Sequence, residues 1–333
     1  MSQFEKLHGV VVGLGSIGNR HLQNLVQLGV GRLTVVRRAT SQNQQFEVPD
    51  TVRMSHDLDE TLATAPDFVV VCNPSHLHVE TATKCLAAGC HVLIEKPLSA
   101  DLGSDERRLQ AFAEQSDRVA AMAYCMRYHP AYRRARELIL AGAIGRVLYG
   151  KAWFEGFLPD WHPWEDYRTS YAALRGQSGG VLRTLDHELD FLNWALGPAT
   201  DAIGWATNVG GIGIEADDLA MYQLRHAGGV CSQLLTSFCR KPASRGFEFV
   251  GDNGTLCFRM EEPKLLCSTH VSSAEATTVE DLTEYDINRM YFDLVQDFLN
   301  AVCGNTSTSI PRLTDGLKCA TLFEQIDHEE VLE

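Results

Sequence analysis

Three short stretches carry residue types that could do chemistry. In VVVGLGSIGNRHL (10–22), Gly13, Gly15 and Gly18 keep G-x-G-x-x-G spacing across Ser16 and Ile17. Where such a run leaves a strand and opens a helix, each glycine has its own task. The first permits the tight turn, the second lets the backbone approach a pyrophosphate, and the third lets helix pack on strand. The helix N-terminus then offers N–H groups and a partial positive charge to the phosphates. In LTVVRRAT (33–40), Arg37 and Arg38 stand where an NAD site usually carries an acid for the ribose hydroxyl. A guanidinium pairs bidentately with a 2′-phosphate, and Thr40 and Ser41 add hydroxyls, so NADP(H) is favoured over NAD(H). In HVLIEKPLS (91–99), an apolar run ends abruptly in Glu95-Lys96-Pro97. A lysine after a strand is often a surface charge. On the rim of a sheet, beside a proline that supplies no competing donor, it is placed to meet the oxygen of a ligand.

Two further groups are candidates for ligand contact. The loop LPDWHPWEDYRTSY (158–171) is dense in recognition chemistry. Trp161, Trp164 and Tyr167 can cover the apolar faces of a sugar ring, while His162 and Arg168 can bond hydroxyls or a charged substituent. The same residues would also serve as an aromatic structural plug. Arg127, in YCMRYHP (124–130), follows a predicted strand and joins the substrate-contact candidates. No metal is expected: His76 with His78, or Asp186 with His187, makes no convincing ligand set, and the ten cysteines are scattered singly.

The elements that must position these residues follow from the hydrophobic pattern. Over the first 125 residues or so, short apolar runs alternate with helical periodicity, as in a parallel α/β sheet. Strands are predicted at His8–Val12, Leu33–Arg37, Phe68–Cys72, His91–Ile94 and Val119–Ala123. Helices are predicted near Ile17–Leu28, Leu58–Ala65, His78–Ala88 and Leu102–Gln115. The glycine loop, Arg37 and Arg38, Asn73-Pro74 and Glu95-Lys96 then all follow strand ends, the edge where open α/β sheets bind ligands. Beyond Tyr124 the texture changes. A helix near Pro130–Ala141, a strand at Val147–Phe157 and one helical stretch near Gly180–Leu196 precede consecutive strands from about 200 to 268. The segment VSSAEATT (271–278) reads as an exposed loop, and helices near 286–302 and 314–328 close the chain. The division expected is a dinucleotide-binding domain over 1–124 and a substrate-binding, oligomerisation domain over 125–333, with the last helices able to pack back on the first.

A formal net charge of −14 disfavours nucleic acid and anionic membrane surfaces as partners. No stretch approaches the roughly 18–20 apolar residues of a membrane helix. The start, MSQFEKLHGV, is no secretory signal, and scattered cysteines in apolar segments suit a reducing cytoplasm.

GLGSIGNRH, NPSHLHVETATKCLAAGCHVLIEKPLS, MRYHPAYRRARELILAGAIGRV and SGGVLRTLDHELDFLNWALG together resemble the Gfo/Idh/MocA oxidoreductases. The resemblance implies a Rossmann doubly wound parallel sheet, then a second α/β domain whose mostly antiparallel open sheet often serves homo-oligomers, here a dimer or tetramer. It implies that Lys96 touches the substrate oxygen as a catalytic residue, with a cis peptide before Pro97, and that His78 lies near the cofactor. Family members commonly carry an Asp four residues before a catalytic His. In GGVLRTLDHELD (179–190) the His is His187, but residue 183 is Arg, so Asp186 or Asp190 would have to substitute. Asp190, at i+3, could share a helical face with His187 and orient its ring. The activity implied is hydride transfer at a carbinol carbon of a sugar, polyol or nucleotide sugar, with His187 as general base. Two rivals stand beside it: a net non-redox sugar enzyme that recycles a bound cofactor, and a catalytically silent NADP-binding sensor.

Overall fold

A computed structural model describes residues 2–39, 46–99, 103–161, 163, 165–269, 276–305 and 309–329. The chain divides into two compact units, 1–125 with 288–317, and 126–287 with 318–333.

The first unit runs β1 (His8–Val12), α1 (Ser16–Gln27), β2 (Arg32–Val36), β3 (Arg53–Ser55), α2 (Leu58–Leu62), β4 (Phe68–Val71), α3 (His78–Ala87), β5 (His91–Ile94), α4 (Ser104–Gln115) and β6 (Ala120–Met122). Its six strands are parallel, in the order β3-β2-β1-β4-β5-β6. Every residue of β1, β4 and β5 is buried, as expected of a parallel sheet covered on both faces. The strands and helices predicted for this part all form, within two residues except at α2, which ends at Leu62, three residues before the predicted Ala65. Strand β3 was not predicted, because Arg-Met-Ser offers neither an apolar run nor alternation; it is an edge strand recruited by pairing with β2.

The second unit contains α5 (Pro130–Leu140), β7 (Val147–Phe157), α6 (Val181–Thr184), α7 (His187–Leu196), β8 (Ala199–Thr207), β9 (Leu219–His226), β10 (Cys231–Ser237), β11 (Cys239–Gly251), β12 (Gly254–Arg259), β13 (Glu262–Thr269) and β14 (Thr277–Asp281). Its eight strands have the order β14-β13-β12-β11-β7-β10-β9-β8 and are antiparallel except for the pair β7–β10. In β9 every second residue is buried, the period of a sheet packed on one face. Helix α8 (Asn288–Val302) belongs to the first unit, and α9 (Leu313–Glu329) begins there and ends in the second.

Two expectations are corrected here. The single helix predicted over 180–196 is two, because Leu185 leaves the helical region at φ −110°, ψ 35°. The halves have different anchors: Asp217 accepts from the Val181 and Leu182 amides, whereas Glu188 and Asp190 are drawn to arginines. Of the loop expected over 271–278, residues 271–275 lie outside the described residues, while Thr277 and Thr278 belong to β14, which pairs with β13 through Cys267↔Thr277 and Leu266↔Thr278. Threonine-rich polar sequence suits an exposed edge strand as well as a loop.

The core of the second unit holds a histidine among aromatics. His129 is 3% exposed and packs edge-on against Tyr132 and Tyr285 and tilted against Phe258, with ring centroids 5.1–5.4 Å apart. Burial, and secondarily the charge of Arg245, push its pKa down to about 3. The unfolded chain takes up this proton near pH 6.5 and the native state does not, so stability present above pH 6.5 falls as the pH drops toward 3. Other buried histidines share the trend, so the test is a difference. His129→Phe should remove about 1.4 kcal/mol per pH unit from the slope of unfolding free energy between pH 6 and 5, read by urea denaturation.

Candidate active site

In the first unit, parallel strands bring the residues after β1, β2, β4 and β5 to one sheet edge. Gly13 follows β1 at φ +94°, and a Cβ there would lie 2.6 Å from the Cys72 carbonyl oxygen. A Cβ on Gly18 would lie 2.1 Å from the Gly13 carbonyl oxygen. These two glycines are required by the chain's own packing. Gly15 is not: a Cβ there would meet nothing within 4 Å. Gly15 is also the N-cap of α1 and supplies no side-chain acceptor, so the first helical N–H groups face outward uncapped. Beside this loop, the Asn73 amide nitrogen donates to the Thr81 hydroxyl at 2.8 Å, while its buried Oδ1 has no partner among the described residues. A cradle open at Gly15, an uncapped helix start and an orphaned amide oxygen fit a dinucleotide pyrophosphate and its neighbouring sugar. Ser16 and Arg38 are exposed, Ile17 and Arg37 half-buried, and Pro74 exposed on the same edge. Thr40 and Ser41 lie outside the described residues.

Lys96 is half-buried at the end of β5, and the Lys96–Pro97 peptide is cis, as the resemblance implied. Its neighbours Glu95 and His78, both expected at the cofactor, have internal partners. Glu95 is buried; its Oε1 lies 2.7 Å from His21 Nε2, and its Oε2 accepts the Lys96 amide at 3.1 Å. His78 is 2% exposed, with Nδ1 2.8 Å from the Pro97 carbonyl and Nε2 2.8 Å from the Asn73 carbonyl. Burial lowers its pKa, and the two carbonyls oppose that shift. Both residues brace the edge.

In the second unit, His187 is half-buried and opens α7. Asp190 was expected to orient it; instead both Asp190 oxygens are held by Arg127, at 2.9 Å from Nε and 2.5 Å from Nη2. Arg127 is buried in this pair and lies over the Trp194 ring at 5.3 Å, so it anchors α7. Glu188, fully buried, accepts from Arg245 Nε at 2.7 Å. Losing one partner of such a buried pair costs about 3–5 kcal/mol. Asp186 is wholly buried. Arg183 acts on Asp217, whose pKa burial raises and the Arg183 charge lowers. Sequence reasoning missed Asp217, because it arrives from the loop before β9, far from the helix it caps.

The described residues of the aromatic loop have partners within the second unit. Trp161 stacks on Phe154 at 5.9 Å and meets Phe238 edge-on at 5.4 Å. The Tyr167 hydroxyl donates to the Ile212 carbonyl at 2.7 Å, and Arg168 forks onto Asp166 with two bonds of 2.8 Å. Apolar packing and local polar partners thus satisfy the side chains expected to line a sugar site; Arg168 alone of the three is exposed. His162 and Trp164 lie outside the described residues. Among the described residues, no group of three or more His, Cys, Asp or Glu is placed to hold a metal ion.

Residues 7–124 match an oxidoreductase family with an NAD-binding Rossmann fold, and residues 132–257 match the GFO/IDH/MocA C-terminal domain. The chain belongs to the Gfo/Idh/MocA family. Among Gfo/Idh/MocA relatives, it is 31% identical over 198 residues to a 1,5-anhydro-D-fructose reductase of Ensifer adhaerens, 58% of this chain and 57% of that one. It is 26% identical over 190 residues to inositol 2-dehydrogenase 3 of Saccharopolyspora erythraea, 56% of this chain and 52% of that one. The matched stretches thus span little more than half of either relative. A solved levoglucosan dehydrogenase in complex with NADH superposes with a TM-score of 0.83, covering 98% of this chain and 97% of that one at 18% identity. That likeness establishes the shared fold.

The glycine loop gives a clean test. Gly15→Ala should leave the melting temperature within about 2 °C of the parent yet weaken dinucleotide binding at least about tenfold. Gly18→Ala should destabilise the fold outright, by about 2 kcal/mol or more. Calorimetric melting and nicotinamide-fluorescence titration of both variants check this.

Proposed function

We propose that this protein is a nicotinamide-dinucleotide oxidoreductase acting at a carbinol carbon of a sugar, polyol or nucleotide sugar. The observation that carries the reading is Lys96: a half-buried ammonium on the sheet edge that also carries the open glycine cradle. The bound dinucleotide would accept or supply the hydride. Gly13, Gly15, Ser16, Ile17, Gly18, Asn73 and Pro74 would hold it, Gly15 by leaving room for the pyrophosphate. Lys96 donates a hydrogen bond to the substrate oxygen and stabilises negative charge developing there. His187, half-buried at the start of α7, takes the hydroxyl proton in oxidation and returns it in reduction. Residues 1–124 would serve the dinucleotide and 125–333 the substrate.

Two arginines and no acid at the end of β2 support NADP(H). A second reading, NAD(H), is favoured by the NADH bound in the levoglucosan dehydrogenase of the same fold. The ten cysteines form no disulfide, which supports a reducing cytoplasm, and no helix among the described residues is long and apolar enough to cross a membrane. The outer β8–β9 face carries Trp205, 70% exposed, opposite Met221, and Ile203, 65% exposed. That face supports self-association, with sedimentation velocity expected to return a dimer or tetramer.

The decisive experiment is turnover of NADP⁺ and NAD⁺ across a panel of sugars, polyols and nucleotide sugars. Lys96→Ala should lower kcat by about 100-fold or more while dinucleotide affinity changes less than about threefold. Equal losses in both would refute the assigned role. Arg38→Ala should shift the NADP/NAD preference toward NAD if the arginines read the 2′-phosphate. Tight dinucleotide binding with no turnover on the whole panel would favour the recycled-cofactor or sensor readings.

A further inference from the structure

We infer that His21 is a positioning residue for Lys96, acting through Glu95 to tie the phosphate-facing helix α1 to the turn that presents the lysine. The inference rests on the role proposed for Lys96. His21 is fully buried on α1, one helical turn beyond Gly18, and its Nε2 lies 2.7 Å from Glu95 Oε1. The other Glu95 oxygen accepts the Lys96 amide. One carboxylate therefore has one oxygen on the helix that starts the cradle and the other on the backbone of Lys96.

The surroundings leave this pair in charge of the geometry. The His21 ring meets Tyr291 of α8 edge-on, with centroids 6.4 Å apart, and its buried Nδ1 has no hydrogen-bond partner among the described residues. The bond to Glu95 is thus the polar contact that sets the ring. Arg20 lies over the same tyrosine at 4.6 Å and bonds Asn288, which in turn bonds Asn24. Around Glu95, the Cys72 thiol and the Tyr291 hydroxyl both have raised pKa values, the first chiefly from burial and the second chiefly from Cys125, with Glu95 contributing to each. Neither of these neighbours carries a balancing positive charge. Burying a polar pair inside an apolar layer costs desolvation that an aliphatic pair would avoid, so stability alone is a poor reason for it. Its placement one residue from Lys96 supplies another reason: it sets where the lysine backbone sits relative to the cradle.

The test compares His21→Ala and His21→Gln with the parent and with Lys96→Ala. Glutamine can place an amide donor where the imidazole Nε2 stands. His21→Ala should lower kcat about 10- to 100-fold with dinucleotide affinity within about threefold, and His21→Gln should recover most of the loss. Independently of turnover, hydrogen exchange of the unliganded protein should show the Lys96 amide exchanging about tenfold faster in His21→Ala, with protection restored in His21→Gln. Unchanged exchange at Lys96, protection lost equally across residues 2–125, or a glutamine variant no better than alanine would each overturn the inference. If alanine yields no folded protein, His21→Met, which fills the space without a donor, replaces it under the same criteria. Should Lys96→Ala itself keep full activity, the reaction role of Lys96 fails, and the exchange measurement still decides whether His21 holds the turn.

Discussion

The parallel direction of the six strands in the first sheet is the constraint on which the candidate dinucleotide site depends. A parallel pair requires a crossover, and here α1 and α3 supply crossovers whose N-termini open at the carboxyl edge of the sheet. Gly13, Arg37, Asn73 and Lys96 are each reached within two residues of a strand end, so residues far apart in sequence share one edge. Burial on both faces explains the unbroken Val-rich runs of β1 and β4, and the same burial leaves the edge as the place where polar side chains can be tolerated.

In the second unit the corresponding constraint is the orientation of α7. Successive helical residues are about 100° apart, so Glu188 and Asp190 project in nearly opposite directions. Arg245 holds one and Arg127 the other. Two buried ion pairs on opposite sides of a helix fix its rotation, and with it the direction in which His187 leaves the first turn. Their net stabilising effect is small against an apolar alternative, but their directionality has no apolar equivalent. The aromatic rings around them, Tyr132, Phe191, Phe247 and Phe258, fill the space between α5, α7 and the sheet.

Much of this was legible in the residues. Fully buried parallel strands read as apolar runs, and the glycine loop announces its own geometry because two of its positions admit no Cβ. The position of Lys96 just past the end of β5 was legible from the abrupt stop of the apolar run. What could not be read was the partner of each charged side chain. Asp190 lies at i+3 from His187, which suggests a contact, yet Arg127, 63 residues earlier in the chain, takes both its oxygens. Glu95 and His78 adjoin the site in sequence but satisfy buried backbone and a buried histidine. The loop at 158–171 looked like sugar recognition because aromatics and charges are equally the means by which a long loop packs down. Local spacing specifies which face a residue occupies, and long-range pairing then decides what that residue does there.

The parallel pairing of β7 with β10 in an otherwise antiparallel sheet has a consequence for how such a protein diversifies. Because neighbouring strands that run the same way cannot be joined by a tight turn, residues 158–230 form one long excursion between them. That excursion contains the aromatic loop, the His187 helix and strands β8 and β9. Its two ends are fixed by the register Cys231↔Tyr149 to Ser237↔Glu155, while the entropy of closing a longer excursion rises only slowly with length. Within the excursion, the loop between Phe157 and α6 joins no two adjacent strands, so it can lengthen or shorten while the sheet register persists. Changes in ligand preference among chains of this architecture should therefore be concentrated in insertions and deletions there, leaving the strands beneath unaltered.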